Sequence, residues 1–142
     1  MASEPIRVTF PGGLRVDAQV GNFVVKTDQP VSGGGLDEAP APFDLFLASI
    51  ATCAGIYALG YCRARQLSTE GLAVTQSVEA DPTTKLPARI TLELTLPEGF
   101  PEHHRVAILR AMNGCKVKKT IAAQPAFDVR LAGDPATTVA AA

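Results

Sequence analysis

The stretch APFDLFLASIATCAGIYALGYCRARQ, residues 41–66, decides the fold of this protein. Pro42 is suited to the first turn of a helix, and Asp44 complements the positive pole of the helix dipole there. Two arginines near residue 65 complement the negative pole, so the stretch predicts one helix over residues 42–66. Such a helix is about 37 Å long and would cross the whole domain.

The middle of this helix is apolar on every side, and residues 45–62 contain no charge. That length reaches the lower limit of a membrane span, but Ser49, Thr52 and two tyrosines within the run argue against one. One face must therefore be covered by sheet and the other by more protein. We expect a homodimer whose partner covers the second face; the alternative is a monomer covered by its own second helix.

Alternating apolar and polar residues predict antiparallel strands on both sides of the helix. The predicted strands are residues 6–10, 16–20, 23–27, 72–78, 90–96 and 127–131. A second helix is predicted over residues 101–112, with further helical turns over 116–124. The fold class is therefore α+β, with antiparallel sheets, a long buried central helix and a second helix. We expect a single domain, residues 1–142, in which 133–142 form a loose tail.

Composition excludes several classes of function. The chain has 142 residues, 46% of them hydrophobic and 19% charged, and a net charge of −1. The chain lacks the surplus of basic residues that would indicate binding to nucleic acid or to an anionic membrane. The first residues show no secretory signal, so we expect a cytoplasmic location, where three cysteines suggest chemistry or packing rather than a disulfide framework.

The three cysteines have different contexts. Cys53 and Cys62 lie nine positions apart on opposite faces of the predicted helix and cannot pair. Each is typical of a small buried hydrophobic residue. Cys115 follows a helix stop and begins a new helical turn within a lysine cluster, residues 116–119, and both features favour a thiolate. If Cys53 and Cys115 meet, a two-thiol redox site results, but the spacing alone leaves that open.

A zinc site is a third possibility, built from Cys53, Cys115 and either His103 or His104. The chain lacks any C-x-x-C or similar ligand spacing, and both histidines lie in the polar first turn of the second helix. We therefore expect both histidines on the surface, and neither a metal nor a cofactor.

The segments P-F-D-L-F-L-A-S-I-A-T-C and N-G-C-K-V-K-K-T-I together resemble the OsmC/Ohr family. The resemblance covers nearly the whole chain and implies an intertwined homodimer with two active sites at the subunit interface. It further implies reduction of organic hydroperoxides, with Cys53 as the peroxidatic thiol and Cys115 as the resolving thiol. The implied partners are a small apolar hydroperoxide and a dithiol or lipoylated protein as reductant.

In the family's peroxidases an arginine near the turn of the N-terminal strands holds the thiolate, which implies Arg15 here, with Arg7 as second candidate. Asp44 is the acid that could orient this arginine. The peroxidases carry a glutamate where this chain has Phe43, and a Pro-Val-Ser-like run where it has residues 116–118. At these positions the chain is more similar to the OsmC-like branch of the family than to the peroxidases. This similarity favours, as an alternative function, a small-molecule binding or redox-sensing protein whose cysteines are packing residues.

Overall fold

The computed structural model describes residues 4–140, which form seven strands and three α-helices. The strands β1–β7 are Arg7–Gly12, Arg15–Val20, Phe23–Val25, Ala73–Ala80, Pro87–Thr95, Asp128–Leu131 and Asp134–Ala140. The helices α1–α3 are Pro42–Ala64, Arg105–Met112 and Lys116–Ala123. Contacts within the chain define two compact units, residues 1–49 and 50–142, which are described separately. That residues 1–142 form one domain stays a prediction.

In the first unit the three predicted N-terminal strands form an antiparallel meander, in the order β1-β2-β3. Thr9 pairs with Asp17, and Gln19 pairs with Val24. Alternation of apolar and polar residues is typical of a half-buried strand, but every residue of β1 is exposed, and Phe10 is 78% exposed. A strand acquires a buried face only where a second layer of protein lies over its sheet.

The glycine-rich loop that follows the meander is organised by one buried carboxylate. Asp28 is 1% exposed and accepts backbone N–H groups from Gln29 at 2.8 Å, Leu36 at 3.2 Å and Glu38 at 3.1 Å. The backbone N–H of Gln29, then that of Glu38, lowers the pKa of Asp28. Gly35 is required in this loop because a Cβ there would lie 2.0 Å from a backbone oxygen.

Helix α1 begins at Pro42, as predicted, and ends at Ala64, two residues before the predicted end. Its buried residues are Ile50, Ala54, Ala58, Tyr61 and Cys62. The prediction of a buried helix therefore holds for one face only, since Ile56 on another face is 59% exposed. By length and composition α1 could cross a membrane, but its buried face joins the core of the second unit.

The second unit packs α1 with α2 and the β4–β5 hairpin. The hairpin is antiparallel, as predicted, with Val74 opposite Leu94. Ile108 and Met112 of α2 are buried in one cluster with α1, and Leu94 packs against that cluster. A 3-10 turn, Glu102–His104, precedes α2, and α3 occupies the predicted further helical turns.

The predicted loose tail is wrong for residues 134–140. These residues form β7, which pairs antiparallel with β6 across a turn at Gly133, where φ is +79°. The β-branched Thr137 and Val139 favour extended structure, and the glycine permits the tight turn. Both strands are exposed throughout, and residues 141–142 lie outside the described range.

Candidate active site

Two of the three cysteines meet where α3 begins. Cys53 is half-buried in the middle of α1, and Cys115 is fully buried directly before the first residue of α3. The Cys53 thiol accepts the backbone N–H groups of Val117 and Lys116, and a hydrogen bond joins it to the Cys115 side chain. The pair predicted as a possible redox site is therefore in contact within the second unit.

This contact changes the acidity of Cys53. The N–H of Val117 contributes most to lowering the pKa of the Cys53 thiol, followed by the hydrogen bond from Cys115, against the opposing effect of burial. The N–H of Lys116 and the charge of Lys118 act in the same direction. The first N–H groups of a helix have no partner within it, so they are free to hold an anion.

From the sequence, the N-terminal end of this helix was expected to favour the thiolate of Cys115, and the structure corrects that expectation. Cys115 is the N-cap residue of α3, and its side chain makes no capping hydrogen bond. The donors point to Cys53 instead, which is supplied by another helix. An N-cap side chain often accepts these N–H groups itself, but the Cys115 side chain is instead hydrogen-bonded to Cys53, which leaves the N–H groups of Lys116 and Val117 to Cys53.

Close packing brings the junction between α2 and α3 against α1. Gly114 lies in this junction, and a Cβ there would be 3.1 Å from the Ala111 carbonyl oxygen and 3.2 Å from the Tyr57 ring. Tyr57 lies one helical turn after Cys53, so the absent side chain at Gly114 lets Cys115 approach α1 at this level.

A cavity of about 430 Å³ is lined by residues of α1, β5, the junction between α2 and α3, and α3 itself. Its apolar walls include Ile50, one turn before Cys53 on α1, with Leu92 and Ile121. Its polar end is formed by Asn113 and Lys118, where the Lys118 ammonium donates to Asn113 Oδ1 at 2.9 Å. A cavity of this size and lining suits a small, mainly apolar molecule.

The predicted arginine and its predicted acid lie in the first unit, where they do not pair with each other. Arg15 donates to Asp17 Oδ2 at 2.6 Å, and its other terminal nitrogen lies 3.8 Å from Glu38 Oε2. Asp44 instead accepts the Ala41 backbone N–H at 3.2 Å. Its position in the first turn of α1 directs it to the backbone at that end, which corrects the expectation that it orients Arg15.

Asp17 and Glu38 are therefore functional candidates that the sequence analysis missed. Residues 15 and 17 lie on the same face of β2, because side chains alternate along a strand, and this spacing is a signal that could have identified Asp17. Glu38 gives no such signal, because the loop held by Asp28 places it. Arg7, the second candidate, lies in the fully exposed strand β1.

The third cysteine and the histidines have other roles. Cys62 is buried in the core, as predicted, and burial raises the pKa of its thiol. His104 was expected on the surface but is half-buried, with its Nδ1 2.7 Å from the Tyr61 hydroxyl. Within residues 4–140, no three His, Cys, Asp or Glu side chains are grouped so as to hold a metal ion.

Comparison with known proteins identifies the same family as the sequence motifs. The model of the family described as OsmC-like protein matches residues 34–130, which is more than half of the chain and contains both Cys53 and Cys115. No curated protein matches the sequence.

Solved structures share the α+β fold with antiparallel sheets. A Psychrobacter arcticus protein named for osmotic stress induction and a detoxification response has a TM-score of 0.72 and 21% identity, over 84% of this chain and 89% of that one. An OsmC-like protein from Mycoplasma pneumoniae has a TM-score of 0.66 and 17% identity, over 87% and 89%. An organic hydroperoxide resistance protein OsmC from Legionella pneumophila has a TM-score of 0.52 and 20% identity, over 85% and 91%.

Proposed function

The chain belongs to the OsmC-like protein family, and from that premise we propose that it is a thiol-dependent peroxidase that reduces organic hydroperoxides through Cys53 and Cys115. The observation that carries the proposal is the environment of the Cys53 thiol, which accepts two backbone N–H groups and is hydrogen-bonded to a second thiol. A thiolate is the nucleophilic form of cysteine, and these contacts favour it. The name of the Legionella relative supports the choice of an organic hydroperoxide as substrate.

The reaction requires no metal or cofactor. The Cys53 thiolate attacks one peroxide oxygen, the O–O bond breaks, and the alkoxide leaves with a proton as an alcohol, while Cys53 becomes a sulfenic acid. The Cys115 sulfur then attacks the Cys53 sulfur, which forms a disulfide and releases water. A dithiol, free or carried as a lipoyl group on a protein, reduces the disulfide by exchange.

The apolar cavity supports a small apolar hydroperoxide as substrate. Its apolar walls provide a surface for the organic group, and the Cys53 thiol lies one turn along α1 from the cavity residue Ile50. Lysine and asparagine at one end provide the polar contacts that orient a bound molecule.

We also propose that the protein acts as a homodimer in the cytoplasm. The exposed apolar residues of α1, among them Ile56 at 59% and Tyr57 at 39%, favour a second copy that covers this face. Gly60 on the same helix is likewise uncovered in the single chain, since a Cβ there would meet no atom within 4 Å. An oxidising compartment would keep the thiol pair as a disulfide, so the proposed cycle needs a reducing one.

Arg15 is proposed as a residue needed for turnover, on the family pattern. Its carboxylate partners in this chain are Asp17 and Glu38, whereas the peroxidases carry a glutamate at the position of Phe43. Arg15→Met should therefore lower kcat/KM, whereas Asp44→Asn should affect only the start of α1, since Asp44 accepts the Ala41 N–H.

Peroxide consumption tests the proposal. Wild-type protein should reduce cumene hydroperoxide in the presence of dithiothreitol, and Cys53→Ser should abolish turnover. Cys115→Ser should stop at the sulfenic acid, which a dimedone probe would detect by mass spectrometry. Cys62→Ser is the matched control and should retain activity, because burial makes that thiol unreactive. Undiminished turnover in Cys53→Ser would exclude the proposal.

The alternative is a small-molecule binding or redox-sensing protein of the same fold. Phe43 at the glutamate position favours it, since the acid of the peroxidases is absent there. In that case mild peroxide treatment would produce no Cys53–Cys115 disulfide, or produce one without catalytic turnover.

A further inference from the structure

We propose that Lys118 is a positioning residue that keeps Cys53 in its thiolate form, a part that the family pattern gives to an arginine. The inference deepens the proposed peroxidase function and rests on it for its biological meaning. It concerns a lysine that stands where the peroxidases carry a Pro-Val-Ser-like run.

The position of Lys118 follows from the fold of α3. Lys118 lies in the first turn of this helix, directly after the two residues whose N–H groups donate to Cys53. Its side chain is half-buried, and its ammonium group donates to Asn113 Oδ1 at 2.9 Å. Because the asparagine is neutral, this hydrogen bond holds the ammonium group without compensating its charge.

The surrounding charges leave Lys118 free to act on the thiol. Residues 103–127 contain five arginines and lysines and no acidic residue. Within the described part of the chain, no acidic side chain forms an ion pair with Lys118. By contrast, Arg15 has its charge compensated by Asp17 and Glu38.

Few titratable groups face Cys53. At the start of α3, the Cys115 side chain contributes a hydrogen bond to Cys53 and Lys118 contributes a positive charge. Lys116 acts on Cys53 through its backbone N–H. Among the described residues that act on Cys53, Lys118 is therefore the one that carries a full positive charge. This charge adds to the partial positive charges at the N-terminal end of α3. Its effect on Cys53 is smaller than that of the hydrogen bonds from Val117 and Cys115, but a half-buried charge is screened less than an exposed one and therefore still acts on a nearby thiolate.

The consequence for the reaction is that Cys53 needs no separate base. The thiolate already present attacks the peroxide oxygen, and the departing alkoxide takes its proton from solvent. The fraction of Cys53 that is ionised, and hence the rate of attack at neutral pH, should depend on Lys118.

The test is the rate at which iodoacetamide alkylates Cys53 between pH 5 and pH 9, measured on the Cys53 peptide by mass spectrometry. Lys118→Met should slow alkylation at pH 7 about threefold and move the titration curve to higher pH. Lys118→Arg should restore the wild-type curve. Lys119→Met is the matched control, one residue further along α3 and exposed, and should leave the curve in place.

Ionic strength provides a second measurement that needs no variant. Raising the salt concentration to about 0.5 M should slow alkylation of the wild type at pH 7 and affect Lys118→Met less. Curves that coincide for wild type and Lys118→Met, or that move equally in Lys119→Met, would overturn the inference.

Failure of this inference can be told from failure of the proposed function, because alkylation uses no peroxide. If Lys118→Met moves the alkylation curve but the wild type consumes no hydroperoxide, the role of Lys118 holds and the peroxidase function fails. If the wild type is an active peroxidase and the curve does not move, only the role of Lys118 fails.

Discussion

The side chain of Cys53, in the middle of α1, is hydrogen-bonded to the side chain of Cys115, which immediately precedes α3. The β4–β5 hairpin and α2 separate the two residues along the chain. They meet because the junction between α2 and α3 packs directly on α1 at Gly114. Two thiols in contact, one of them favoured as a thiolate, are what reversible disulfide formation requires.

Cys53 and Cys62 should differ strongly in reactivity although they lie on the same helix. Backbone N–H donors, led by that of Val117, lower the pKa of Cys53, whereas burial raises the pKa of Cys62. At pH 7 a thiol-specific reagent should modify Cys53 at least about tenfold faster than Cys62, by peptide mass spectrometry. Unfolding in guanidinium should equalise the two rates. Faster labelling of Cys62 in the native protein would contradict the structure.

Replacing Ile56 by aspartate should weaken the proposed homodimer without unfolding the chain. Ile56 is 59% exposed in one protomer, so the substitution should cost the isolated chain little. In a dimer it would bury an unpaired carboxylate and weaken association at least about tenfold. Sedimentation velocity over a range of concentrations would measure this change.

Ser68→Asp is the control for Ile56→Asp. It adds the same charge at an exposed residue after α1, where a carboxylate can replace the hydroxyl that accepts the Glu70 N–H. An unchanged dissociation constant in Ile56→Asp, or equal weakening in Ser68→Asp, would exclude this face of α1 from the interface.

Asp28→Asn should lower the stability of the first unit and its sensitivity to acid. The Gln29 N–H, above all, lowers the pKa of Asp28 in the folded protein. The contribution of Asp28 to the free energy of unfolding is therefore complete above the unfolded pKa of about 3.9. It is lost as the pH falls through the folded pKa. The amide cannot accept three N–H groups as the carboxylate does, so the thermal midpoint should fall at pH 7. The difference from wild type should shrink as the pH is lowered toward about 3.

Asp37→Asn provides the comparison for Asp28→Asn. Asp37 lies in the same loop but is exposed, and its φ of +57° suits asparagine as well as aspartate. Its thermal midpoint should stay near that of the wild type. A loss of stability in Asp37→Asn as large as in Asp28→Asn would mean that the buried hydrogen bonds are not the cause.

His104 should make the stability of the protein depend on pH near neutrality. Burial lowers its pKa, and the positive charges of His103 and Arg65 add to the effect. As the pH falls, His104 therefore becomes protonated at a higher pH in the unfolded chain than in the folded protein. Stability should be highest above about pH 6.5 and should decline as the pH falls toward the folded pKa. Urea unfolding at several pH values would measure the decline.

His104→Gln should flatten this decline, whereas His103→Gln should keep most of it. His103 is exposed, while His104 contacts the Tyr61 hydroxyl through Nδ1. The neutral ring can accept the hydroxyl proton at Nδ1, and the protonated ring cannot. An equal slope in wild type and His104→Gln would show that other groups govern the dependence.

The sequence predicted most of the architecture from local patterns. Pro42, the dipole charges and an uncharged apolar run defined α1, and alternation defined the meander and the β4–β5 hairpin. It failed for residues 134–140, because a short run rich in alanine and threonine has little hydrophobic alternation, and pairing with β6 decides its conformation. It also failed for His104, whose burial depends on contact with Tyr61 of α1.

What the sequence determined by itself was the list of elements and of chemically capable residues, because periodicity, capping and side-chain type are properties of neighbours along the chain. Only the tertiary structure decided which thiol receives the N–H groups of α3, and that Arg15 pairs with Asp17 and Glu38 rather than with Asp44. The reason is that hydrogen bonds and charges act over a few ångströms in space, and residues distant in sequence reach that range only when the helices and loops have packed.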